Sequence, residues 1–150
     1  MASTHGILIA LSSKRLALLE SDPETLEDVV EARHEDAIPG LLDLRTLWEP
    51  LDMIVSGRGR DEVLGDVLLA RSGKNLSVDT AFEQARVLSP QRVAEVAAKL
   101  AELPAATVKE RAQQLGKAKD LEQLLALYQE IVALYTGAAK AKQSMLAILV

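Results

Sequence analysis

"SMLAILV", residues 144–150, is an unbroken run of small and aliphatic side chains, and it decides the fold class. A short apolar run of this kind is typical of a strand buried on both faces. A second run, "GILIAL" at residues 6–11, is bounded by turn formers and predicts another buried strand. Terminal segments stay ordered only when something ties them down, so we expect the two strands side by side in the core.

Between these strands, most of the chain has the apolar spacing of amphipathic helices. "FEQARVLS", residues 82–89, predicts a further strand, and residues 71–80 are expected to form a loop. We therefore expect one α+β domain over residues 1–150, with about six helices on a small sheet that includes the N-terminal and C-terminal strands. Helical segments are predicted after Ser12 or Ser13, and at 22–32, 61–69, 89–103, 104–116 and 120–139.

Composition excludes several classes of protein. The chain has no cysteine, which excludes disulfides, thiolate metal sites and a cysteine nucleophile. Its net charge of −5 argues against a nucleic-acid partner. It has neither a signal-peptide pattern at its start nor an apolar run of the roughly 18 residues that a membrane helix requires. We expect a soluble cytoplasmic protein with no membrane partner.

The negative charge is concentrated in "ESDPETLEDVVEARHED", residues 20–36, which contains eight carboxylates and one arginine. In the predicted helix 22–32, the apolar side chains form one stripe and the carboxylates lie off it. The carboxylates are either a solvated surface or a docking surface for a basic partner. We call this set the acidic face, and its members are Glu24, Glu27, Asp28, Glu31 and Glu35.

The only tryptophan stands beside a proline in "LDLRTLWEPLDMIVSG", residues 42–57. A proline inside a helix costs about 3 kcal/mol, so one unbroken helix is not expected here. We predict a turn at 43–48 capped by Asp43, then a helix with Pro50 in its first position. Trp48 would then lie at the junction between the turn and the helix, where an indole can cover the edge of the core.

A small-molecule pocket is the alternative interpretation of this region. Glu49 and Asp52 are three residues apart and would share one face of a helix beside Trp48. In "SGRGR", residues 56–60, glycines allow close approach of an anion and arginines can bind it. The predicted pocket therefore comprises Trp48, Glu49, Asp52, Arg58 and Arg60.

Other catalytic or metal patterns are weak. The serines lie at predicted caps, turns or strand edges, and no nucleophile elbow is present. His34 has acidic neighbours but lacks the two-histidine spacing of a zinc helix. We expect no catalytic residue, no metal and no cofactor.

The order of several stretches resembles the YfbM-like proteins, a bacterial domain family of unknown function. The resemblance implies a compact α+β fold with helices on a small sheet, and it supplies no established activity. The matching stretches are "HGILIALSSKRLALLES", "LDLRTLWEPLDMIVSG", "EVLGDVLLA", "ARVLSPQRVAEVAAKLAEL" and "LYQEIVALYTGAAKAKQSMLAILV".

The chain departs from the family pattern in two places. Asp52 stands where relatives usually carry a histidine, and "QQLGKAKDLEQ" lacks the aromatic segment that relatives have before the last helix. Both departures remove polar aromatic side chains, which favours a non-enzymatic protein. We expect a protein-binding domain, of the kind that neutralises a toxin, with the acidic face as its contact. An enzyme or a small-molecule binder with its site at the predicted pocket is the alternative.

Overall fold

The strands "GILIAL" and "SMLAIL" are neighbours at the centre of the sheet, as predicted. In the computed structural model, Gly6–Leu11 (β1) pairs antiparallel with Ser144–Leu149 (β5), with Gly6 opposite Leu149. Every residue of both strands is buried. The structure describes residues 5–32, 40–57, 60–75, 84–115 and 120–150.

The described strands form one antiparallel sheet in the order β2-β1-β5-β4-β3. Because β5 pairs with β1 on one side and β4 on the other, it joins the two halves of the sheet. The remaining strands are Leu41–Arg45 (β2), Lys74–Asn75 (β3) and Gln84–Leu88 (β4).

Seven helices, within the described ranges, cover both faces of this sheet. The α+β prediction is confirmed, with one helix more than the six expected. The helices are Ser13–Ser21 (α1), Pro23–Ala32 (α2), Trp48–Ser56 (α3), Asp66–Leu69 (α4), Pro90–Glu102 (α5), Ala105–Gln114 (α6) and Leu121–Lys140 (α7).

Strand alternation divides the core into two clusters, one on each face of the sheet. Ile7, Ile9 and Leu11 pack with Leu19 of α1 and Val30 of α2. The side chains that point the other way pack under helices α3 to α7 and form the larger cluster. The acidic helix α2 and helices α3 to α7 therefore lie on opposite sides of the sheet.

Local chemistry explains where the helices begin. The Ser12 hydroxyl accepts a hydrogen bond from the Arg15 N–H, and the Ser89 hydroxyl accepts one from the Arg92 N–H. Pro90 occupies the first turn of α5, where its missing N–H costs nothing. None of the described helices is both long enough and apolar enough to cross a membrane.

The prediction for residues 43–48 is wrong in its first part, because Leu41–Arg45 form strand β2. Asp43 accepts the Arg45 N–H at 2.9 Å, but it does so at a strand end rather than as the cap of a helix. Helix α3 then begins at Trp48, so Pro50 occupies its third position and not its first. The first four N–H groups of a helix have no partner within it, so proline is tolerated there.

Two further predictions are corrected. The helix expected at 61–69 is limited to α4, because Asp61 accepts the Val63 and Leu64 N–H groups at 3.0 Å each and holds a turn. The loop expected at 71–80 contains β3 within its described part.

Candidate functional site

The residues of the predicted pocket around Trp48 lie at different points along helix α3 and beyond its end. Trp48 and Glu49 lie in its first turn, whereas Arg60 lies beyond its last residue. Asp52 is buried in the middle of the helix, with 7% of its surface exposed. Arg58 lies outside the described residues. Of Trp48, Glu49, Asp52 and Arg60, only Arg60 lines one of the two cavities described below.

Trp48 packs on the start of the central strand β1. A Cβ atom at Gly6 would lie 2.5 Å from the Trp48 Cβ, a separation that atoms do not tolerate. Gly6 is thus required for the tryptophan to approach the backbone, and the half-buried indole packs against the larger core cluster. This position matches the predicted anchoring of the core edge.

Asp52 forms one ion pair and has one orphan oxygen. The Arg71 Nη2 donates to Asp52 Oδ2 at 2.6 Å, and the Arg71 side chain is 44% exposed. Asp52 Oδ1 is buried without a hydrogen-bond partner among the described residues. Burial raises the pKa of Asp52 above its ordinary value of 3.8, although Arg71 opposes the rise, and Glu49 adds to it.

A second buried carboxylate, Asp66 of α4, was not singled out from the sequence. Its Oδ1 accepts the Ser72 N–H at 2.7 Å, and its Oδ2 accepts the Arg92 Nε–H at 2.7 Å and the Ser72 hydroxyl. Burial alone would raise the pKa of Asp66, but the hydrogen bonds from Ser72 and Arg92 outweigh it and lower the pKa below 3.8. Arg92 also donates to Glu95 at 2.7 Å.

Tyr135 is fully buried beside this group. Its hydroxyl donates to the Val67 carbonyl oxygen at 2.6 Å. Burial, with a smaller contribution from the Asp66 charge, raises the pKa of Tyr135 far above its ordinary value. A phenol held in this way stays protonated and connects α7 to α4, which is a structural role.

One cavity of about 800 Å³ lies beyond the end of α3, and we call it the basic cavity. Arg60, Lys99 and Arg111 line it, together with Asp61 and Glu62. Arg60 is the member that the "SGRGR" pattern identified. Lys99 of α5 and Arg111 of α6 were not identified, because only tertiary packing brings these helices together.

Another cavity, of about 900 Å³, lies at the start of α5, and we call it the polar cavity. Its wall includes Lys74, Arg92 and Glu95, together with Glu20 of α1. Arg92 is already engaged by Asp66 and Glu95. The charges in this wall balance, so it has no preference for an ion of either sign.

The two buried carboxylates, Asp52 and Asp66, are not part of either cavity wall, although Ser72 and Arg92, which donate to Asp66, line the polar cavity. General acid–base catalysis requires a group within hydrogen-bond reach of a substrate. Within the described ranges, no group of three or more histidine or carboxylate side chains is placed to hold a metal ion.

The acidic face lies on α2, on the side of the sheet opposite to the basic cavity. Glu24, Asp28 and Glu31 are exposed, and Glu27 is half-buried. Glu35 lies outside the described residues. Helix α1 contributes Leu18, an apolar side chain that is 57% exposed and lies one turn before the α1–α2 junction.

Comparison with known proteins establishes the class to which this architecture belongs. The model of the family DUF1877, a domain of unknown function, matches residues 2–148, so the chain belongs to this family. No curated protein matches the chain.

Among solved structures, the fold is similar to that of YfbM from Escherichia coli, described as a protein of unknown function. The TM-score is 0.67 over 97% of this chain and 99% of YfbM, at 14% sequence identity. At this identity the likeness establishes the fold alone. The resemblance found in the sequence is confirmed, and the family supplies no activity.

Proposed function

We propose that this protein is a non-enzymatic binding domain that docks a basic partner protein on the acidic face. The observation that carries the proposal is the combination, on the α1–α2 side of the sheet, of exposed carboxylates and an exposed leucine. Glu24, Asp28 and Glu31 are exposed on α2, and Leu18 is 57% exposed on α1.

The two helices present these side chains from a continuous segment. The Asp22 N–H donates to the Leu18 carbonyl at 3.1 Å, and the Thr25 N–H donates to the Asp22 carbonyl at 3.2 Å. These bonds join the end of α1 to the start of α2 with a single residue between them. Leu18 therefore lies close to the first carboxylates of the acidic face.

Charge determines the kind of partner that fits this surface. Residues 12–32 contain six carboxylates, one lysine and one arginine. Complementary fields accelerate association, and the fully buried centre of an interface is more apolar than its rim. A basic protein with an apolar pocket for Leu18 meets both requirements. Neutralisation of a basic toxin by covering its surface is a role of this kind, because it requires binding and no catalysis.

The experiment compares two charge-reversed variants. Glu24→Lys/Asp28→Lys/Glu31→Lys reverses three exposed members of the acidic face, and Glu110→Lys/Glu122→Lys/Glu130→Lys reverses three exposed carboxylates of α6 and α7. Both variants change the net charge equally. Each is used with the wild type to capture proteins from the native host, and the partner retained by the wild type is then purified for rate measurements.

We expect the α2 variant to lower the association rate about tenfold at low salt, and the α6–α7 variant to change it less than about twofold. High salt should reduce the difference, because it screens exposed charges. Equal capture and equal rates for both variants would refute the acidic face as the contact. For the toxin hypothesis, co-expression with the partner should protect cells, and the α2 variant should lose that protection.

A further inference from the structure

We propose that the basic cavity is a separate binding site for a small organic anion, in which a phosphate or carboxylate contacts Arg60, Lys99 and Arg111. It lies on the far side of the sheet from the acidic face. The inference is therefore independent of the proposed docking function.

Arg111 is held in place by the end of α3. Its Nη1 donates to the Ile54 carbonyl at 2.8 Å, which satisfies one of the unpaired carbonyls of the last helical turn. A Cβ atom at Gly57 would lie 3.4 Å from Nη2 and 3.5 Å from Cζ of Arg111. Gly57 also has a φ of +62°, which favours glycine. The glycine therefore both ends α3 and leaves space for the guanidinium beside it.

An ordered guanidinium is suited to anion recognition. It presents several N–H donors in a fixed plane, and only one of those of Arg111 is used by Ile54. Because the contacts with Ile54 and Gly57 already restrict the side chain, a ligand would lose less conformational entropy in ordering it. The half-buried position also weakens screening by salt.

The other two cations are available to a ligand. Arg60 and Lys99 are exposed, and within the described part of the chain neither forms an ion pair. Of the two acidic side chains in the wall, Asp61 already accepts the Val63 and Leu64 N–H groups. The wall thus has a net charge of +1 in a protein whose net charge is −5.

Apolar side chains complete the wall and define the rest of the ligand. Met53 is 36% exposed, and Val63, Leu103 and Leu115 are half-buried in the same cavity. A volume of about 800 Å³ lies within the range of about 300–1,000 Å³ that small-molecule sites occupy. A wall that contains both cations and aliphatic groups fits an anion with a short hydrocarbon portion.

Four probes test this ligand class by ¹⁵N NMR titration of the folded protein: n-butyl phosphate, inorganic phosphate, n-butanol and n-hexanoate. We expect n-butyl phosphate to bind most tightly, because it can use both the cations and the aliphatic wall. n-Hexanoate distinguishes a carboxylate from a phosphate as the preferred head group. The amide signals of Gly57 and Leu115 should shift during the titration.

The variants Arg60→Gln/Lys99→Gln and Lys109→Gln/Lys140→Gln separate a specific site from general electrostatics. Both remove two positive charges, and Lys109 and Lys140 are exposed outside the basic cavity. We expect the first variant to bind n-butyl phosphate about tenfold more weakly, and the second to remain within about twofold of the wild type. Melting temperatures of both variants should match the wild type, since the four side chains are exposed.

Three results would overturn the site. The first is the absence of saturable binding by the wild type to n-butyl phosphate and n-hexanoate. The second is an equal loss of affinity in both variants. The third is a set of shifts at Ser89–Arg92 in the polar cavity instead of at Gly57 and Leu115. None of these results affects docking at the acidic face, which depends on different residues.

Discussion

Asp52 and Asp66 are both buried carboxylates paired with an arginine, yet their pKa values are shifted in opposite directions. Asp52 has one ion pair and one oxygen without a partner in the described ranges, and its pKa is raised. Asp66 has both oxygens occupied by Ser72 and Arg92, and its pKa is lowered. The number of donors, rather than the presence of an arginine, decides which carboxylate is stabilised in its charged form.

The two carboxylates accept hydrogen bonds from adjacent residues in the segment after α4, namely Arg71 and Ser72. Arg71 donates to Asp52 of α3, and Ser72 donates to Asp66 of α4. The segment that follows α4 therefore links the middle of α3 with the start of α5, which Asp66 contacts through Arg92. Substitutions at the two carboxylates test how differently these connections contribute to stability.

The largest effect is expected for Asp66→Asn. The amide removes the negative charge that Arg92 requires and places an N–H₂ group among donors. Hydrogen bonds to charged groups contribute about 1.5–3 kcal/mol, so we expect the free energy of unfolding at pH 7 to fall by about 3 kcal/mol. Urea unfolding measures this change, and a loss below about 1 kcal/mol would contradict the structural importance of Asp66.

A smaller effect is expected for Asp52→Asn. Burial disfavours the charge of Asp52, and the Arg71 side chain is 44% exposed, so removing the charge costs little. We expect the free energy of unfolding at pH 7 to change by about 1 kcal/mol or less, in either direction. The same urea experiment provides the comparison, and a loss equal to that of Asp66→Asn would refute the contrast between the two sites.

The smallest effect is a difference in pH dependence. A lowered folded-state pKa makes Asp66 stabilising above its ordinary value of 3.8, and this contribution is lost as the pH falls through the folded-state value. The raised pKa of Asp52 has the opposite sign: its contribution is fully present below 3.8 and is lost as the pH rises through the folded-state value.

Stability curves of the wild type and the two asparagine variants between pH 2.5 and pH 7 would show this difference. On acidification, the advantage of the wild type over Asp66→Asn should shrink below about pH 3.8. Over the same fall in pH, the free energy of unfolding of the wild type should rise relative to that of Asp52→Asn. The comparison would be refuted if, on acidification, the difference in free energy of unfolding between wild type and variant changed in the same direction for both variants.

Patterns that depend on near neighbours allowed much of the fold to be predicted. The apolar runs of β1 and β5 and the Ser89–Pro90 start of α5 are local signals, and the structure contains each of them. Strand β2 was missed because Asp43 suggested a cap, and because the pairing partner of β2 lies more than 30 residues away in β1. Edge strands with half-buried side chains have a weak local pattern.

The sites were harder to predict, because their members are distant in the sequence. Arg92 is 26 residues from Asp66, and Arg111 is 57 residues from Ile54. No periodicity or motif connects such pairs, since tertiary packing alone brings them together. Arg60 was found from the glycine–arginine pattern, whereas the burial of Asp52 and its ion pair with Arg71 depend on what packs around α3.

The central position of β5 also governs the order in which the chain can fold during synthesis. Strand β1 emerges from the ribosome more than a hundred residues before its partner, and β4 emerges about sixty residues before. Until β5 is available, the β2–β1 pair and the β4–β3 pair cannot join, and each has an uncovered edge. Unpaired edges invite association with other chains, and such distant pairing slows folding. The nascent protein therefore depends on the last described strand to close its sheet.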